Sequence, residues 1–142
     1  MRGRVGEAAT RGALVVMGLF TAVPVMALFQ PEQLESYGIV DPEPMVLTLL
    51  QHRGVFQLLA GAALVWAAFR RDVRLPIAAG VILSKGVALA LTFSRPEAQE
   101  QANSFIQGFD LACIAVLVVI IATSVAGSRP TVRSSASNLE TS

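Results

Sequence analysis

Long apolar stretches, rather than alternation at a period of 2 or 3.6, organise this chain. Four runs stand out, over residues 12–29, 54–69, 75–93 and 109–126, and the segments between them hold most of the charge. Each approaches the ~20 residues that carry a helix, at ~1.5 Å rise, across a hydrocarbon core ~30 Å thick. The second run is the shortest and recruits His52 and Arg53 at its start. A backbone in lipid must satisfy its own hydrogen bonds, which leaves helices or closed barrels, and these runs lack the alternation of barrel strands. The pattern predicts an all-α, integral membrane four-helix bundle. Its spans cover about residues 12–29, 52–69, 75–94 and 107–126 of one transmembrane domain, 12–127, with an arm at 1–11 before it. Residues 128–142, SRPTVRSSASNLETS, hold too few apolar side chains to order themselves and read as a disordered tail.

Local signals refine the runs. Pro24 is expected to kink the first helix, and the hydroxyl of Thr21, three residues earlier, is placed to meet a carbonyl that the proline frees. Residues 31–38, PEQLESYG, read as a short helix with Pro31 at its first position, acids in its first turn and Gly38 closing it. Tyr37 suits the headgroup level. Pro42 and Pro44 break the chain, after which 45–50 either begins the second helix early or lies along the interface. The connection 94–106 is polar and short. Two stripes of small residues, Gly80, Ser84, Ala88 and Thr92 on the third helix and Gly54, Gln57, Gly61 and Ala68 on the second, predict that these two helices meet through them.

Arginine placement orients the bundle. Arg2, Arg4 and Arg11 precede the first run, Arg70, Arg71 and Arg74 fill the turn after the second, and Arg129 and Arg133 follow the fourth. The other two connections carry Glu32, Glu35, Asp41, Glu43, Glu97 and Glu100. Cytoplasmic loops attract Lys and Arg, so both termini and the 70–74 turn are expected in the cytoplasm, with the chain in the inner or plasma membrane. The start also resembles a secretory signal, with Val25, Met26 and Ala27 as a cleavage-like site. An uninterrupted stretch over 12–29 is long for such a signal and favours a retained helix. Composition agrees: of 142 residues 54% are hydrophobic and only 15% charged, with a mean hydropathy of +0.60, where a soluble domain would be about one-quarter charged.

Little in the chain reads as catalytic. Cys113 is the single cysteine and lies inside the fourth run, so no internal disulfide is available and a small buried hydrophobe is the plain reading. One histidine, His52, is too few for a zinc site and poorly placed for a heme. No H-E-x-x-H, G-x-S-x-G or phosphate loop occurs, Ser84 and His52 lie ~11 Å apart in depth, and no basic patch suits nucleic acid. No catalytic residue, metal site or cofactor is evident.

The exception is IAAGVILSKGVALALTF, residues 77–93, with the chain's only lysine at its centre. A charge there costs ~2.5–3.5 kcal/mol on insertion scales, so Lys85 is expected to face a partner or water, unless it snorkels or fixes helix packing. Counting 1.5 Å per residue from flanking arginines puts Lys85 ~16 Å deep, Gln57 ~20 Å, His52 ~27 Å and Asp110 ~28 Å. Asp110 is the only carboxylate within an apolar run and shares a helix face with Asn103 and Gln107. The ~12 Å step between Lys85 and Asp110 makes a direct pair marginal, with Gln57 at a bridging height. The resulting expectation is a polar pocket facing outward, with Lys85 at its floor, Gln57 on its wall, and His52, Gln107 and Asp110 near its mouth.

The layout, with Phe29-Gln30-Pro31-Glu32 leaving the first helix and Leu50-Gln51-His52-Arg53-Gly54-Val55-Phe56 beginning the second, resembles the broad DoxX-like group of small bacterial four-helix membrane proteins over residues 11–126. The resemblance implies a membrane subunit or accessory of redox or quinone-linked systems, with a quinone as the possible ligand, and transfers no catalytic residue. The preferred expectation is a non-catalytic, multi-pass protein that contacts membrane lipids and binds partner helices, a membrane protein partner, a second copy, or a lipid-like or quinone-like molecule. The alternative is a small oligomeric transporter or channel for an anion or proton, using Lys85 and Asp110.

Overall fold

The computed structural model describes residues 2–30, 32, 34, 35, 38–101 and 103–127, and no strand occurs among them. Helix α1 (Arg2–Ala22) runs into a 3₁₀ segment (Val23–Leu28); α2 (Pro44–Phe69), α3 (Arg71–Phe93), a short α4 (Pro96–Gln101) and α5 (Ser104–Gly127) follow. Tyr37 and the tail 128–142, with Arg129 and Arg133, lie outside the described residues.

Helix ends follow local chemistry. Pro24 ends regular α geometry, and the backbone tightens to 3₁₀ from Val23. The proposed repair by Thr21 does not form: its hydroxyl is buried with no hydrogen-bond partner among the described residues. Other donors serve this exit, since the N–H groups of Phe29 and Gln30 both reach Met26 O, at 2.9 and 2.8 Å, and Gln51 Nε2 donates to Ala27 O at 3.3 Å. Gly38 closes the turn before it in the left-handed region, φ 77°. Its N–H bonds Glu35 O at 2.9 Å and that of Ile39 bonds Leu34 O at 3.1 Å, the paired bonds of a glycine-terminated helix end. Pro44 sits at the first position of α2, so 45–50 belongs to that helix. Pro96 begins α4 within the second connection, where the sequence offered only polarity.

The four long helices form a ring in chain order: α1 packs most extensively on α2 and α3 on α5, α2 meets α3, and α5 closes against α1. Arg70 alone separates α2 from α3. The end of the bundle holding Arg70 is called basal below, and the opposite end apical.

The tightest seam lies between α1 and α2, not between α2 and α3 as the small-residue stripes suggested. A Cβ on Gly18 would stand 2.6 Å from Gly61 O, one on Gly61 would strike Gly18 O, and one on Gly54 would stand 2.8 Å from Pro24 O. Only glycine admits such backbone approach. On α3, Gly80 and Ser84 are exposed instead, with open space beside Gly80. The buried face of α3 is Arg74, Ala78, Val81, Lys85 and Leu89. Turning two cations inward to partners sets the rotation of this helix and leaves the neighbouring small stripe partly outside.

A packed apolar core fills the basal half, with Leu14, Leu64 and Leu117 fully buried and Met17, Ala67, Ala78, Val81, Cys113 and Ile120 around them. Below it, Arg74 Nε donates to Ala67 O at 3.0 Å and Nη2 to Ala68 O at 3.1 Å, capping the end of α2, while Nη2 also reaches Glu7 Oε1 at 3.0 Å. Glu7 accepts from Arg11 and Arg71 as well, each at 3.0 Å. The segment before the first apolar run is therefore the opening turns of α1, tied to α3.

The outside of the bundle is apolar: Leu19, Phe56, Leu83, Leu111 and Val119 are all more than half exposed. Val5–Leu28, Arg71–Phe93 and Ser104–Ala126 are long and apolar enough to cross a membrane. The fourth expected span, in α2, is not among them. That helix is 26 residues long, but Gln51, His52, Arg53 and Gln57 dilute the run in its apical half.

Candidate functional site: a polar chamber above the core

Above the core the ring stays open. A cavity of about 560 Å³ is lined from all four long helices: Phe20 and Thr21 from α1, Arg53 and Gln57 from α2, Lys85, Ala88 and Leu89 from α3, and Gln107, Phe109 and Asp110 from α5. Leu34 and Ile39 from the first connection and Asn103 from the second roof its apical side. The volume falls within the range of small-molecule sites, which are apolar with a few polar groups.

At its floor, Lys85 Nζ donates to Asp110 Oδ1, with the lysine 6% exposed. The ammonium also stands 5.2 Å from the Phe109 ring centroid, and Phe109 packs on Phe20 at 5.5 Å. The aromatic face adds attraction for the cation where water is scarce.

The direct pair overturns the expected separation in depth. Lys85 and Asp110 lie level on antiparallel helices, so Arg74 and Ile121, each eleven residues basal of its partner, lie level too. Arg129 comes eight residues later in sequence, and counting from it added ~12 Å to the height of Asp110. Asp110 thus belongs to the floor, beside Lys85, rather than to the mouth.

Gln57 and Gln107 line the same cavity, whereas His52 does not: it is exposed, edge-on to Phe56 at 4.8 Å. Its neighbour Arg53, itself exposed, stands at the edge of the wall instead. Adjacent helical residues point ~100° apart, and here the side nearer the cavity falls to Arg53. Arg53 is four residues before Gln57 and shares its face, a spacing that could have marked it. Thr21 follows from the sequence only as a repair beside Pro24, and no sequence signal marks its burial against the cavity, at 4% exposure.

The chamber offers hydrogen-bonding groups of both kinds. Lys85, Arg53 and Gln57 supply donors, Asp110 and Gln57 acceptors, and Thr21 both. Among the described residues no three His, Cys, Asp or Glu side chains converge as a metal site requires, and Cys113 is buried in the core one turn below Asp110. No protein-family model, curated protein or solved structure matches the chain.

Proposed function

We propose that this is a non-catalytic, multi-pass membrane protein whose apical chamber binds a small lipid-like or quinone-like molecule, as a subunit or accessory of a larger membrane system. In this reading all four long helices cross the inner or plasma membrane. The polar half of α2 is accommodated because Gln57 and Arg53 turn to the chamber. The basal end, with its arginines and both termini, faces the cytoplasm, and the chamber belongs to the outer half of the membrane. The apolar exterior supports this, since contiguous apolar surface on this scale suits lipid better than water. The likeness in span spacing to DoxX-like proteins is in keeping with it.

The observation that carries the binding reading is the Lys85–Asp110 pair facing an open chamber of about 560 Å³ rather than a filled network. A purely structural pair would be better served by close packing around it. The solid core beneath argues for binding over conduction, because Leu14, Leu64 and Leu117 close the basal side.

The test is mass spectrometry of the protein isolated in native lipid particles, comparing wild type with the paired variant Lys85→Met/Asp110→Leu, which removes both charges together. A small molecule that co-isolates with wild type and is lost from the variant supports the chamber as a binding site. Another membrane protein retained equally by both, with no small molecule, assigns the pair to packing and the protein to a purely structural subunit.

A further inference from the structure

The chamber is not sealed on its flank. A second cavity, of about 410 Å³, lies between α2 and α3 and shares Arg53, Gln57, Lys85 and Asp110 with the first. Its remaining walls include Phe56, Ser84 and Leu91, all exposed on the outside of the bundle. The two spaces therefore meet at the charge pair, one within the ring and the other facing outward between two helices.

The gap has a cause in the sequence. Arg70 joins α2 to α3 and Arg74 pins them at the basal end. Further up, Ser84 and Ala88 of α3 and Ala60 of α2 are small side chains among the larger ones that line the space, and they leave it open. In a bilayer such an outward cleft, with Phe56 and Leu91 on its outer walls, would face lipid tails rather than water, so an acyl chain is what would fill it.

Charge indicates what the chain would carry. Asp110 neutralises Lys85. Arg53 lines both cavities, yet it has no hydrogen bond or ion pair with any described residue. Across the chamber the Thr21 hydroxyl is buried and has no hydrogen-bond partner among the described residues. Among the described residues the site thus presents a cation, Arg53, outside any ion pair and a buried hydroxyl, Thr21, outside any hydrogen bond. A planar guanidinium fork fits the two oxygens of a carboxylate or phosphate.

We infer that the chamber receives a membrane-soluble amphiphile with an anionic oxygen head, a fatty-acyl carboxylate or a phospholipid phosphate, which enters sideways between α2 and α3. Its head group lies on Arg53 and its chain leaves through the cleft into the bilayer. This rests on the binding reading above and specifies both its ligand class and its route.

The experiment uses the full chain in nanodiscs of zwitterionic phosphatidylcholine doped with oleate, phosphatidylglycerol or the neutral oleyl alcohol. Retained molecules are counted by native mass spectrometry after gentle extraction, with soluble butanoate as competitor. Wild type should retain an anionic amphiphile roughly tenfold or more over oleyl alcohol, and Arg53→Gln should lose that margin while Arg53→Lys keeps part of it. Ala60→Phe, which fills the cleft, should cut retention without lowering thermal stability. Preference for oleate or for phosphatidylglycerol supports the inference either way and identifies the head. Equal retention of oleyl alcohol, unchanged in Arg53→Gln, overturns the anionic head. Full retention in Ala60→Phe, or butanoate competing as well as oleate, overturns the lateral route. No molecule retained by wild type overturns the chamber reading beneath both.

Discussion

Lys85 on α3 and Asp110 on α5 neutralise each other at the level where the packed core ends and the chamber begins. Each is the only side chain of its charge sign in its apolar run, and each would be left uncompensated without the other. Removing one partner of a buried pair costs about 3–5 kcal/mol, whereas replacing both with apolar groups is often neutral. Lys85→Met and Asp110→Asn should each lower the unfolding midpoint in detergent sharply. Lys85→Met/Asp110→Leu should recover most of the loss. A thermal-melt double-mutant cycle checks this, and additive losses would mean that the two groups are not coupled.

The glycines of α2 predict a second asymmetry. Gly61 has no room for even a methyl group, because its Cβ would meet Gly18 O and stand 3.0 Å from the Ala22 Cβ. Gly61→Ala should force α1 and α2 apart and cost about 1–3 kcal/mol. On α3, Gly80→Ala and Gly86→Ala meet nothing within 4 Å and should be neutral or stabilise the helix by about 0.5–1 kcal/mol. Expression and melting of the three variants should separate them cleanly.

Arg74 does at the basal end what no lysine could. One guanidinium bonds two carbonyls at the end of α2 and the Glu7 carboxylate of α1, so three helices meet at a single side chain. Arg74→Leu should cost about 3 kcal/mol, as expected where a partly buried carboxylate loses a partner. Arg74→Lys should recover only part of that, since an ammonium lacks the planar fork. Protease resistance of the basal end and the melting midpoint should both follow the order arginine, lysine, leucine.

How far these features were legible depended on what makes a residue conspicuous. The long helices follow from apolar runs, and the break between α2 and α3 from the turn at Arg70, while the short α4 at Pro96 had no expected counterpart. Lys85, Asp110, Gln57 and Gln107 stand out because polar side chains interrupt those runs, and all four stand at the chamber. Helix partnership was not legible: a small-residue stripe says that some helix can come close, not which one, and Gly61 packs on α1 and Gly54 on the 3₁₀ segment that continues it. Arg53 was hidden at the edge of its run, where an arginine ordinarily marks the membrane boundary, and His52 drew attention one position away on the wrong face. Heights counted from the tail failed because nothing in the sequence tells where a helix end stands relative to its neighbours.

Thr21 joins stability to function most directly. The residue is 4% exposed and lines the chamber, and its buried hydroxyl lacks a partner among the described residues. A buried hydroxyl left unbonded costs about 1–3 kcal/mol. Thr21→Val keeps the shape and removes that cost, so the empty protein should become more stable by about 1 kcal/mol. If the hydroxyl is kept for a ligand, the same change should weaken retention of the chamber's occupant even as the melting midpoint rises. Opposite movement of the two quantities is what a binding group produces, since function is commonly held at the expense of stability. Should stability rise with retention unchanged, Thr21 is a packing defect and the ligand's contacts lie on Arg53 and Gln57. Should stability fall, the hydroxyl already has a partner in the membrane, and its apparent isolation ceases to support a binding site.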